Sequence, residues 1–163
     1  MPVILLDTTL LSNFPQVGRP DLLRAALGLL AATTPAVMAE LHTGESLGLV
    51  PTCDWSWLQV LGPTAVEREL AADLARQLDS GEAECLAAAL SRQGRFLSDD
   101  LAARRMADSR QVQVSGTLGV LMRLTEAGLL TWAEADDLMT EMVRRGYRSP
   151  VRSLKDLQAD SEN

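Results

Sequence analysis

The chain has 163 residues, 47% of them apolar and 23% charged, which suits one domain that buries a single core without disulfides or a structural metal. Its net charge of -7 argues against a general nucleic-acid coat protein, and its aromatic share of 4% leaves little surface for stacking bases. No apolar run approaches the roughly 20 residues of a membrane-spanning helix, so no membrane role is expected. Cys53 and Cys85 are far apart and lack metal-ligand spacing; with no basic-then-apolar leader, they point to the reduced cytoplasm. The charge is unevenly spread: residues 1–103 carry 6 Arg/Lys against 13 Asp/Glu, residues 104–155 carry 9 against 6, and the last eight add three acids. Arginine dominates that basic third, because Lys155 is the only lysine.

The stretch VILLDTTLLSNF (Val3–Phe14) opens with four apolar residues in a row and meets a carboxylate at Asp7. An apolar run without alternation predicts a strand covered on both faces, as in parallel sheets flanked by helices. Asp7 then stands at the carboxyl end of the strand, where such sheets bind ligands. Thr8 and Thr9 can cap the next helix with their hydroxyls, and Asp7 could equally be the cap. PDLLRAALGLL (Pro20–Leu30) predicts an amphipathic helix with proline in its first turn. Ala31–Thr34 reads as a second strand, followed by a helix from Pro35 that stops at Gly44. Glu40 lies three residues beyond Val37 in that helix and so projects near its apolar face.

Leu47–Trp57 reads as a loop and Trp57–Leu61 as a strand. A helix is predicted over Thr64–Leu78, followed by a turn at Asp79–Gly81. GEAECLAAALSRQG (Gly81–Gly94) forms a helix with Cys85, Leu86, Ala89 and Leu90 on one stripe. Its geometry turns Glu82 toward that stripe and Glu84 about 200° away from it. Asp79 with Glu82 three residues later also has the spacing of a capping box. RFLS (Arg95–Ser98) repeats the opening arrangement, delivering Asp99 and Asp100 at a strand end before a helix LAARRMADSR. Gln111–Val114 predicts another strand, Ser115–Leu130 a helix with a small, hydroxyl-bearing first turn, and Trp132–Arg145 a further helix. The end of the chain is polar and is expected to fray after about Leu157. Alternating short strands and helices predict a three-layer α/β/α sandwich with a central parallel sheet, with one domain over 1–149 and a polar tail over 150–163.

If the strands ending at Asp7 and at Asp99 and Asp100 are neighbours, their carboxylates share one edge. Uncompensated acids at that spacing repel one another, and a bound cation relieves the repulsion. Oxygen-only donors select hard ions such as Mg²⁺ or Mn²⁺. His42, the single histidine, reads as an exposed helix residue.

Taken in order, VILLDTTLLSNF, the glutamate of VMAELHTG, GEAECLAAA, FLSDDLAARRMA, VSGTLGVLMRLTEAGLL and the GYRSP ending resemble a PIN domain. The subgroup with GEAE and GTLGVL segments, akin to the VapC-like toxin ribonucleases, is the nearest in pattern. The resemblance implies an acid cluster holding one or two Mg²⁺ or Mn²⁺ ions. Carried over residue by residue, the cluster falls on Asp7, Glu40, Glu82 and Asp100, with Asp99 adjacent. Asp7, Asp100 and Asp99 are the expected metal ligands, Glu40 and Glu82 order metal-bound waters, and the hydroxyls of Thr8 and Ser98 orient the ligands. Two positions depart from the family pattern: Glu82 stands where aspartate is frequent, and Ala102 where a further aspartate often follows. The implied activity is metal-dependent hydrolysis of phosphodiester bonds in single-stranded RNA, with Arg104, Arg105, Arg123, Arg144, Arg145 or Arg148 holding the backbone. A toxin role would bring a small antitoxin protein and a homodimer.

Rival readings are weaker. An aspartyl phosphatase wants an aspartate where Thr9 stands, and a response-regulator receiver wants a lysine near the acids, whereas Lys155 lies in the tail. The alternative that keeps the fold is an inactive PIN module that binds nucleic acid or serves as a scaffold.

Overall fold

In a computed structural model describing residues 2–161, five short parallel strands form one sheet: β1 (Ile4–Leu6), β2 (Ala31–Thr33), β3 (Gln59–Val60), β4 (Arg95–Leu97) and β5 (Val114–Ser115). Their spatial order is β3-β2-β1-β4-β5. The opening apolar run is the centre of this sheet, with Ile4, Leu5 and Leu6 all buried. Because a parallel sheet needs a crossover between strands, each connection carries helix. These helices are α1 (Thr8–Gln16), α2 (Asp21–Leu27), α3 (Pro35–Ser46), α4 (Ala65–Leu74), α5 (Ser80–Ser91), α6 (Leu101–Ser109), α7 (Thr117–Glu126), α8 (Trp132–Arg144) and α9 (Leu154–Ser161).

Helix α5 packs on β1 and β4, and the Cys85 thiol donates to the Leu6 carbonyl. On the other face, Leu27 of α2 and Val120 of α7 approach Ile4 and Leu97. The α/β architecture with a parallel sheet covered on both faces is therefore the one the alternation of elements predicts. No helix among the described residues is long and apolar enough to cross a membrane.

Several boundaries differ from the sequence expectation, each for a local reason. Of the two caps the sequence offers for α1, Asp7 is the one used, accepting from the Thr8 amide, while the hydroxyls of Thr8 and Thr9 take other partners. Pro20 sits at the cap of α2 rather than in its first turn, and a 3₁₀ turn over Gly28–Leu30 completes the segment. Helix α3 passes through Gly44 to Ser46; the left-handed residue just beyond it is Gly48, with φ of +70°. Helix α4 ends at Leu74 instead of Leu78. β3 is an exposed two-residue edge. Gln111 adopts φ of +60° and turns the chain, so β5 begins three residues later than predicted. Helix α9 runs past Leu157; its Leu154 is fully buried, and Asp136 of α8 accepts from the Ser153 hydroxyl and the Leu154 amide at 2.9 and 2.8 Å.

One buried charge away from the strand ends is fully compensated. Glu67 is 1% exposed, closes a capping box with Thr64, and takes two hydrogen bonds from Arg92 at 2.8 and 3.0 Å. Those bonds hold its carboxyl below the usual glutamate range. Removing one member of such a pair leaves the other unmatched, and Arg92 is only partly exposed. Glu67→Ala should therefore cost about 2–3 kcal/mol in urea unfolding at pH 7. The pair's contribution is present above pH 4.5 and should fade as pH falls through the depressed carboxyl value, so the deficit should shrink in acid. A deficit below about 0.5 kcal/mol at pH 7 would show that the pair contributes nothing.

Candidate active site

The parallel pairing of β1 with β4 places Leu6 opposite Leu97, so the residues that follow each strand emerge side by side. The Asp7 amide donates to the Leu97 carbonyl at 3.0 Å, and the Ser98 hydroxyl donates to Asp7 Oδ2 at 2.7 Å. Ser98 also accepts from the Asp100 amide, tying the two strand ends together through one hydroxyl. Asp100 then caps α6 by accepting from the Ala103 amide at 2.9 Å.

Two further acids reach the same edge from α3 and α5. Glu82 is buried and forms a reciprocal capping box with Asp79, its Oε2 accepting from the Asp79 amide. Glu40 spans from α3 to the start of α5, where Oε1 accepts from the Gly81 amide at 2.9 Å and from the Ser80 hydroxyl. Its other oxygen accepts from the Thr8 hydroxyl at 2.6 Å. Gly81 makes this approach possible, because a Cβ there would lie 2.5 Å from Glu40 Oε2. Glu84, which points away from the buried stripe as expected, does not face open solvent. It accepts from the Ala36 amide and caps α3, whose own Thr34 provides no side-chain cap.

Asp99 is held differently from the others. One oxygen accepts from the Thr117 amide at 2.8 Å; the other accepts from the Thr117 hydroxyl at 2.5 Å and from Asn13 at 3.1 Å. It thus clamps the N-terminus of α7 against α1. Gly116 lies directly beneath it, and a Cβ there would collide with Asp99 Oδ1. Asn13 and Thr117 are not foreseen from the sequence as contributors to this edge. The hydroxyl-bearing turn before α7 is the one signal that points toward Thr117.

The carboxyl edge is therefore a meeting point of helix N-termini, each holding an acid. That geometry favours negative charge, since each helix presents the positive end of its dipole and free amides. Burial works in the opposite direction. Desolvation pushes Asp7 up to about 7, against the hydrogen bonds from Ser98 and Thr8, and Asp79 and Glu40 add repulsion. Glu82 is pushed to about 7 by desolvation and then by repulsion from Asp7 and Asp79. Burial also raises Asp99, opposed by its bonds from Thr117.

The six arginines are dispersed. Arg104 donates to the Ser98 carbonyl at 2.9 Å and lies near Asp99, placing it at the acid edge. Arg144 and Arg145 both pair with Glu141 on α8. Arg105, Arg123 and Arg148 are exposed, as is His42. Tyr147, the only tyrosine, is half-buried within electrostatic reach of Asp99 and Arg104.

No three His, Cys, Asp or Glu side chains among the described residues form a ready-made metal cage. The donor chemistry nevertheless fits a hard divalent cation. Asp7, Glu40, Glu82 and Asp100 offer only oxygen, and among the described residues no ion pair reaches any of them.

A doubly covered parallel sheet with carboxylates free of ion pairs at its carboxyl edge is an α/β domain with the place where such sheets bind ligands. A family model described as a PIN domain matches residues 3–161, and the chain belongs to that family. PIN domains are in general nucleases that act on nucleic acid and use divalent metals. No curated protein and no solved structure gives a significant match.

Proposed function

We propose that this PIN domain is a metal-dependent endoribonuclease that hydrolyses single-stranded RNA at the carboxyl edge of its sheet. The supporting observation is the pair Asp7 and Glu82, two buried carboxyls with no cationic partner and within electrostatic reach of each other where the strands end. Asp7 and Asp100 are the residues that would hold Mg²⁺ or Mn²⁺, with Asp99 behind them and Glu40 and Glu82 placed to orient water. When bound, such an ion activates water and offsets charge on the scissile phosphate.

The chain's own groups do the positioning. Ser98 orients Asp7 and the Asp100 amide together, and Thr8 locks Glu40. The clamp of Asp99 on Thr117 and Asn13 keeps α7 and α1 rigid beside them. Arg104, the arginine at the edge, is placed to meet an RNA phosphate, while the remaining five could only extend the contact along the strand. Within this reading the chain acts in the cytoplasm as the toxin of a toxin–antitoxin pair. A small antitoxin covers the acidic edge, and the toxin forms a homodimer.

A second reading is favoured by one specific observation: Asp7, Asp79 with Glu82, and Asp100 all serve as helix caps, a structural duty that an inactive RNA-binding or scaffold module would also need. Cleavage of labelled single-stranded RNAs separates the two. With Mn²⁺ or Mg²⁺ the folded protein should cut, EDTA should abolish cutting, and Asp100→Asn should slow it roughly a hundredfold. No cutting by folded protein, with no metal-induced rise in Tm, would support the inactive module.

A further inference from the structure

A cavity of about 150 Å³ lies apart from the acids, on the sheet face covered by α2 and α7. Its floor is apolar, made by Ile4 and Leu97 from the strands and Val120 from α7, all buried. The rest of its lining is cationic and polar, with Arg95 from β4, Arg123 from α7, Gln113 and Ser115. In a chain with net charge -7, no carboxylate lines this cavity. Neither arginine forms an ion pair among the described residues; Arg95 uses its Nε on Gln113 Oε1 at 2.9 Å, which leaves its terminal nitrogens and the Gln113 amide nitrogen free to donate. The Ser115 hydroxyl lies against Gly119, where a side chain would close the wall.

The chemistry of this arrangement is specific. Unpaired guanidinium groups beside an apolar hollow with polar neighbours suit an anion carrying a compact ring with a hydrogen-bonding edge, and arginine is well suited to phosphate. A cavity of about 150 Å³ admits one six-membered ring, the scale at which an apolar protein cavity takes up benzene. We propose that this cavity binds a pyrimidine nucleotide, its base on the apolar floor and its phosphate held by Arg95 and Arg123, and that the larger purine fits it less closely. Helix α7 joins the two sites, since Thr117 at its start holds Asp99 and Arg123 six residues later lines the cavity. As a subsite for substrate RNA the cavity rests on the ribonuclease reading; nucleotide binding itself does not.

Calorimetric titration of metal-free Asp7→Asn protein with CMP, UMP, AMP, GMP and ribose 5-phosphate tests this without any cleavage. CMP and UMP should bind at least about fivefold more tightly than AMP and GMP, and at least about tenfold more tightly than ribose 5-phosphate. Arg95→Gln and Arg123→Gln, both at exposed positions, should each weaken CMP about tenfold without changing Tm. Absence of pyrimidine nucleotide binding, equal binding of ribose 5-phosphate, or insensitivity to both substitutions would overturn the proposal. Such a failure would leave metal-dependent cleavage by the wild type unaffected, so the two readings stand or fall separately.

Discussion

Asp7→Asn should abolish RNA cleavage and, at the same time, make the protein more stable at pH 8. Both effects follow from one carboxylate that is 2% exposed and carries a charge its surroundings do not match. Burial pushes Asp7 from 3.8 to about 7, so between those values the folded protein holds a proton that the unfolded chain releases. The contribution of Asp7 to stability is therefore greatest below about pH 4, declines as pH rises to 7 by up to about 1.4 kcal/mol per pH unit, and levels off above it. Glu82, raised by the same causes, adds to the decline in the same direction. Asparagine keeps an oxygen for the Thr8 amide and an amide for the Ser98 hydroxyl, yet carries no charge. In urea unfolding the variant should gain roughly 2–4 kcal/mol at pH 8 and match the wild type near pH 4. Cleavage should drop at least about a hundredfold, because the deeply buried donor of the edge is lost. A variant that cuts RNA at the wild-type rate, or is less stable at pH 8, would refute the role given to Asp7. Adding Mn²⁺ should raise the wild-type Tm far more than that of the variant, since an ion bound only to the folded state stabilises it by mass action.

Gly116→Ala should be the most damaging single methyl group near the site. The backbone there is extended, with φ of -152° and ψ of -161°, so alanine suffers no conformational penalty and the whole effect is steric. Its Cβ would collide with Asp99 Oδ1 and lie 2.9 Å from Arg104 Nη1 and 3.1 Å from the Ser98 carbonyl. To make room, Asp99 must leave the Thr117 amide, exposing an unpaired buried carboxylate and freeing the N-terminus of α7. The expected cost is about 2–4 kcal/mol in thermal or urea unfolding. Cleavage should fall about tenfold to a hundredfold as the positioning of the edge loosens. Unfolding within about 0.5 kcal/mol of wild type would show that Asp99 has an equally good alternative position.

The reading of the chain as strands and helices rests on strong local signals. Four unbroken apolar residues before Asp7 are unmistakable as a doubly covered strand, and the GEAE helix is legible from its spacing. Boundaries were less legible, because they depend on which residue can turn left-handed: Gly48 rather than Gly44 after α3, and Gln111 before β5. The acids at strand ends were visible as residue types, and the neighbouring of β1 and β4 that joins them was a condition, met by the Leu6–Leu97 register.

Local sequence determined the elements and the inward turn of Glu40 and Glu82, because backbone periodicity alone sets which side of a helix a residue occupies. Only the tertiary structure decided which distant groups the acids touch. Asp99 became a clamp on Thr117 and Asn13, Glu84 became the cap of α3, and Arg95 and Arg123 came to line one cavity. These partners lie between 18 and 86 residues apart wherever a hydrogen bond joins them, and no local propensity encodes a contact between segments that meet only when the sheet assembles.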